Sequence, residues 1–212
     1  RQIWEQAYTY LYQKNCGFVL SPEELKSMFG PPELQCHTAI LQGRHVYTKE
    51  KAETLVQRTE DIMLLTLAQT NMPSHIIPGA IPSLLDLQQS HAALAVATGN
   101  IEGIARGILI HSGLQDYFPV VSFSSPDNIQ RYQVVAKAKQ DLEKKHGNLF
   151  NPHNTYVVGD TPSDIHAART LGLVSVGVAT GHYTLHELEQ EKPDILLPDL
   201  YQLRKSVENF IK

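Results

Sequence analysis

The chain has 212 residues, of which 42% are apolar and 19% charged, and its formal net charge is -4. That is enough chain to bury a core without disulfide or metal staples, and the balance excludes a disordered chain, a coiled coil and a strongly basic nucleic-acid face. Cys16 and Cys36 are the only cysteines; they form no C-x-x-C pair and no bridge framework, which points to a reducing, cytoplasmic setting and away from a thiolate zinc site.

From residue 1 to about 71 the apolar pattern is helical. Ile3, Trp4, Ala7, Tyr8, Leu11 and Tyr12 recur at three- and four-residue spacing, and Ala52, Leu55, Val56, Ile62, Leu65 and Ala68 predict a second long helix. Between them Ser21-Pro22-Glu23-Glu24 reads as an N-cap with Pro at the first helical position, opening a short helix that stops near Gly30-Pro31-Pro32. The stretch 62–85 carries no Asp, Glu, Lys or Arg, but Pro73, Pro78 and Pro82 with Gln69, Asn71 and His75 break it up, so it is not read as a membrane span.

Beyond the turn-rich passage 73–82 the texture changes to short apolar runs alternating with amphipathic segments, the pattern of repeated βα units. Residues 92–97, 120–123, 156–158, 174–178 and 195–197 are predicted as parallel strands. Helices are predicted over 83–89, 101–112, 133–145, 163–171, 185–191 and 200–211. The expected fold is α/β, a doubly wound parallel sheet with an all-helical unit on its N-terminal side, divided at residues 1–76 and 77–212.

In such a sheet ligands bind beyond the carboxyl ends of the strands. The run AALAVA ends in Thr98-Gly99-Asn100, where a hydroxyl and a glycine-freed backbone suit phosphate oxygens, although Thr98 also reads as a plain helix cap. The run YVV ends in Gly159-Asp160-Thr161-Pro162-Ser163-Asp164. Two carboxylates four residues apart at a strand end suit a hard cation such as Mg2+; capping by Thr161 or Ser163 with Asp164 on the helix dipole would explain Asp164 but not Asp160. Arg131 follows the loop Ser124-Ser125-Pro126-Asp127 and is a candidate for neutralising phosphate, or an ordinary surface charge. The ten histidines are scattered without ligand spacing, apart from His182 and His186, and read as surface residues, although Gly181-His182 follows a strand end and is a candidate to border the site.

Taken in order, Thr98-Gly99-Asn100, then Arg131, then G-D-x-x-x-D at a strand end resemble the second, third and fourth motifs of haloacid-dehalogenase-like hydrolases, most closely the phosphoglycolate-phosphatase-like branch. The resemblance runs from about residue 77 to the C-terminus, and the helical front corresponds to the family's cap. It implies Mg2+-dependent hydrolysis of a small phosphorylated metabolite through an aspartyl-phosphate intermediate, with no nucleic-acid or membrane partner. Carried over by position, Thr98 would bind the phosphoryl group with Gly99 and Asn100 lending donors, Arg131 would stabilise its charge, Asp160 would hold the metal and Asp164 would support that site as a second carboxylate. The family usually has Lys where Arg131 stands. Its first motif, an apolar strand ending in D-x-D-G-T and supplying the nucleophile, is not found in the sequence, and the chain starts with Arg1 rather than Met; the expectation is an N-terminally incomplete chain. That strand is central in the family, so its loss should leave two unpaired sheet edges. The alternative is a catalytically inactive relative that binds a phosphorylated ligand or a protein partner. Oligomeric state is left open. In the cap, Phe29-Gly30-Pro31-Pro32 and Arg44-His45 are candidates to face the site.

Overall fold

A computed structural model describes residues 2–29, 31, 33–125, 130–147 and 150–210. Arg1, Gly30, Pro32, Pro126 and Asp127, named above, and the end of the helix predicted over 200–211 lie outside the described residues.

The N-terminal part is helical, as its periodicity predicts: α1 (Gln2–Cys16), α2 (Pro22–Ser27), α3 (Glu33–Gly43) and α4 (Lys49–Gln69). Ser21 caps α2 through a full capping box with Glu24, matching the sequence signal. The separate helix α3 was not foreseen. Tyr8, Leu11 and Tyr12 of α1 meet Ile40 and Leu41 of α3 and Leu55 and Met63 of α4 in one buried apolar cluster. This cluster also holds the one departure from the surface reading of the histidines that burial makes plain, because His37 is fully buried. Its Nε2 stands 3.0 Å from Thr59 Oγ1, whose own proton is given to the Leu55 carbonyl. Nε2 therefore carries a hydrogen, and Nδ1, 2.8 Å from the Tyr12 hydroxyl, accepts from it when the ring is neutral. Glu33, one turn earlier on α3, is 3.3 Å from Nε2 and accepts from the Tyr8 hydroxyl.

The second part alternates α5 (Ala80–Gln89), β1 (Ala95–Ala97), α6 (Glu102–Ser112), β2 (Val120–Ser122), α7 (Arg131–His146), β3 (Tyr156–Gly159), α8 (Pro162–Thr170), β4 (Val174–Val178), α9 (Leu185–Gln190), β5 (Ile195–Leu197) and α10 (Leu203–Phe210). All strand pairings are parallel, as apolar runs bounded by turn residues predict. The helical part sits on this core along α4 and α6, where a side chain at Gly103 would collide with Glu60 and one at Gly107 would press on Leu64.

Among the described residues the sheet comes in two pieces, β1–β2 and β3–β4–β5. Ala97 of β1 and Val157 of β3 nevertheless pack into one apolar cluster with Val135 of α7 and Ala167 and Ala168 of α8, so the helix layer spans both pieces. Burial follows the pairing. Every residue of β4, flanked on both sides, is buried, whereas β1 is half-buried throughout and Val158 in the middle of β3 is 42% exposed. The half-buried strands are the two that would flank a central strand in the predicted topology.

Candidate active site

The site is built where the carboxyl ends of β1 and β3 meet the N-termini of α7 and α8. Strand β3 ends in Gly159, and α8 starts at Pro162 behind the N-cap Thr161. Asp164, the third residue of α8, turns back: its Oδ2 accepts from the Thr161 backbone N–H at 3.2 Å and from the Thr161 hydroxyl at 2.8 Å. The fold leaves no space for a side chain at 159, where a Cβ would lie 2.2 Å from the Asp164 carboxyl carbon. Glycine is needed there for close approach, not for unusual torsion.

Arg131 opens α7 and faces α8. Its Nε donates to Asp164 Oδ1 at 2.7 Å and its second nitrogen lies 2.6 Å from the same oxygen. The Asp164 side chain is only 4% exposed. Both of its oxygens are thus engaged, one by Arg131 and one by Thr161, so it acts as the brace between α7 and α8.

Asp160 sits one residue past β3 with Gly181 against it; a Cβ at 181 would fall 1.7 Å from Asp160 Oδ2. Burial pushes the Asp160 carboxyl above its usual range, and the neighbouring Asp164 charge pushes the same way, while its own backbone N–H, Arg131 and His182 pull down. Asp160 is therefore a carboxylate whose negative charge is under-compensated by the protein. Among the described residues no group of three or more His, Cys, Asp or Glu is gathered in a metal-binding cluster.

Thr98-Gly99-Asn100 is half-buried at the end of β1, on the other piece of the sheet. The Thr98 N–H donates to the Ser122 carbonyl, and Thr98 Oγ1 accepts from the Asn100 N–H at 3.2 Å, which leaves the hydroxyl proton of Thr98 to donate elsewhere. The Asn100 backbone N–H, an expected donor to a ligand, is spent on Thr98. Arg131, Asp160 and Asp164 are thus brought together directly, and Thr98 shares their edge of the core.

The sequence reads His182 mainly as a surface residue, with its place after a strand end as the one signal that it could border the site. Its imidazole, expected on the surface, stacks on Phe29 of the cap with ring centroids 4.5 Å apart, and its charge acts on Asp160. Of the two cap candidates, Phe29 therefore faces the core. Arg44 does not: it grips both oxygens of Glu24 and lies over the Phe18 ring within the cap.

Comparison with known proteins bears on the family and the fold. The family model described as HAD-hydrolase-like matches residues 133–203. Phosphoglycolate phosphatase of Agrobacterium fabrum is 31% identical over 147 residues, 66% of this chain and 58% of the relative; that of Vibrio vulnificus is 28% identical over 61% of this chain and 55% of the relative. The chain thus spans a little over half the length of these curated relatives. Among solved structures, beta-phosphoglucomutase of Clostridium difficile superposes with a TM-score of 0.79 at 18% identity over 99% of this chain and 92% of its own. A HAD hydrolase of family IA from Entamoeba histolytica gives 0.77 at 19% identity, over 99% and 92%. The doubly wound fold with its helical N-terminal unit is that of these structures.

Proposed function

We propose that this chain, a haloacid-dehalogenase-like hydrolase of the phosphoglycolate-phosphatase-like branch, is the cap (residues 1–76) and most of the core (77–212) of an Mg2+-dependent phosphatase for a small phosphorylated metabolite. The observation that carries this reading is the cluster at the end of β3: a half-buried carboxylate, Asp160, with its charge under-compensated, beside an Arg131–Asp164 pair held in place by a helix cap.

The donor chemistry fits Mg2+, a hard cation that takes carboxylate oxygens together with substrate phosphate and water. Asp160 would hold it directly; Asp164, whose oxygens already serve Arg131 and Thr161, would support the site through them. When bound, the ion neutralises phosphoryl charge. Thr98 offers its hydroxyl proton to a phosphoryl oxygen from across the sheet, and Gly99 keeps the backbone of that turn open to it. Arg131 faces the same charge. Its one-sided grip on Asp164 Oδ1 fixes the guanidinium while leaving donors to spare.

In this reading the nucleophile belongs on a strand between β1 and β3, a position that no described strand fills. This accounts for the division of the sheet and for the exposure of Val158. With both thiols free, Cys36 buried and its thiol pushed up to about 12 by burial, the reading needs no disulfide and suits the cytoplasm. The test is covalent: the protein purified from its source, quenched in acid during turnover of a labelled phosphate monoester, should carry hydroxylamine-labile phosphate on an aspartate. Turnover without such an adduct would refute the aspartyl-phosphate route, and absence of turnover would favour a ligand-binding relative.

A further inference from the structure

The helix that follows the Thr98-Gly99-Asn100 turn is built into the cap as much as into the sheet. Ile104 of α6 is 1% exposed and belongs to the apolar cluster of α1, α3 and α4, and Ile101 and Ile108 pack against that cluster. The turn itself is tied to the end of β2: the Thr98 N–H donates to the Ser122 carbonyl, and the Ser124 N–H donates to the Asn100 carbonyl, each at 3.0 Å. Residues 98–100 are thus clamped between a strand end on one side and a helix held by the cap on the other.

This arrangement gives α6 a poor start. Its N-cap is Ile101, and no side-chain hydrogen bond caps the helix there; apolar residues rank lowest at that position, because they offer the first turn no acceptor. The carboxylate that stands at this end comes from the cap. Glu60 of α4 lies over Gly103, the second residue of α6, so closely that a Cβ at 103 would fall 1.9 Å from its Oε1 and 3.0 Å from its Cδ. One turn further along the same seam Leu64 stands against Gly107, so the packing of α4 on α6 fixes where Glu60 sits. An anion over the first turn complements the positive end of a helix. Glu102, the other acid of that turn, is exposed and paired with Arg106.

We propose that Glu60 is a positioning residue of the phosphatase reaction: seated from the cap on the first turn of α6, its charge stands in for the N-cap that Ile101 cannot supply and so fixes the Thr98 hydroxyl for the phosphoryl group. The inference rests on the phosphatase reading above. It also explains an isoleucine at an N-cap: position 101 serves the cap as an apolar anchor, and the charge the helix end lacks is supplied across the interface.

The test uses the native-length protein with Mg2+ and two substrates, para-nitrophenyl phosphate and phosphoglycolate. Glu60→Gln keeps the shape and removes the charge; it should lower kcat by about two- to fivefold, the range of one helix-end charge, with KM within about twofold of wild type. Glu60→Ala removes both and should lower kcat by about tenfold or more, since a displaced hydroxyl costs rate. Ile101→Thr keeps the branched shape and supplies a local cap; added to Glu60→Gln, it should recover at least about half of the lost kcat. Glu53→Gln, an exposed partner of Lys49 on the same helix, should leave both constants at their wild-type values. A lower KM with kcat unchanged in Glu60→Gln, unchanged kinetics in a folded Glu60→Ala variant, or a loss that Ile101→Thr does not relieve overturns the inference and leaves the phosphatase reading standing. Wild-type protein that releases phosphate from neither substrate overturns both.

Discussion

Removing Asp164 separates what the sequence pattern joins, a helix cap and a charge partner. In Asp164→Ala the Arg131 guanidinium, whose side chain is 19% exposed, keeps its charge and loses its partner, and the Thr161 N–H loses its acceptor. An abandoned member of a buried ion pair costs about 3 to 5 kcal/mol, and a lost cap adds about 1 kcal/mol. With a urea m-value of about 2 to 3 kcal/mol/M for a chain of this size, the midpoint should fall by about 1.3 to 3 M. Arg131→Met leaves Asp164 buried with its cap intact and should cost about 3 kcal/mol. The double variant leaves neither charge stranded, so its cost should be smaller than the sum of the singles by about 2 kcal/mol or more. Urea unfolding of the three variants, followed by circular dichroism, reads the cycle directly. Single-variant costs that add to within about 0.5 kcal/mol would show that the pair carries no coupling, and that Arg131 is an ordinary surface charge.

Gly181→Ala drives a methyl into Asp160 Oδ2 and should abolish the stabilisation of the native-length protein by Mg2+ in thermal melts, while alanine at Gly172, where nothing lies within 4 Å, should leave the Mg2+ response in place even though its positive φ lowers stability. Asp160→Asn bears on pH. Because the folded-state value of Asp160 is raised, the folded protein holds the extra proton between the unfolded value, about 3.9, and that raised value, so this group's contribution to stability falls as pH rises through the window and stays lower at neutral pH. The asparagine variant should therefore melt higher than wild type at pH 7 without Mg2+ and gain nothing from Mg2+; an asparagine variant that melts lower contradicts the burial argument. His37→Leu strands the Tyr12 hydroxyl and removes the donor to Thr59 inside the cap, and should cost about 2 to 4 kcal/mol, measured by denaturant midpoint.

The strands were legible because buried parallel strands read as apolar runs ending in turn residues, and the ends of β1 and β3 located Thr98 and Asp160 for the same reason. Strand β1 is shorter than its apolar run: only Ala95, Val96 and Ala97 pair, with β2 on one side, because apolar content extends beyond the residues that find a neighbour. Helix α3 was absorbed into a general helical pattern, since its one distinctive signal, Glu33 and His37 a turn apart, reads on paper as a surface pair and becomes a buried one only when α1 and α4 close over it. The double service of Asp164 was half legible: the sequence placed it in the first turn of a helix capped by Thr161 or Ser163, but the partner Arg131 is 33 residues away and local pattern cannot assign it. His182 was half legible for a related reason: its position after a strand end pointed towards the site, but local pattern gave it no partner. Its significance lies in a ring from the other end of the chain and in a carboxylate against Gly181, both products of tertiary packing.

The most direct test of the central claim is phosphate release by the native-length protein from a panel of small phosphate monoesters, phosphoglycolate included, with Mg2+ or with EDTA, beside the Asp160→Asn variant. The account predicts release that requires Mg2+ and falls to background in Asp160→Asn. Release that persists in EDTA, or survives in Asp160→Asn, would contradict it.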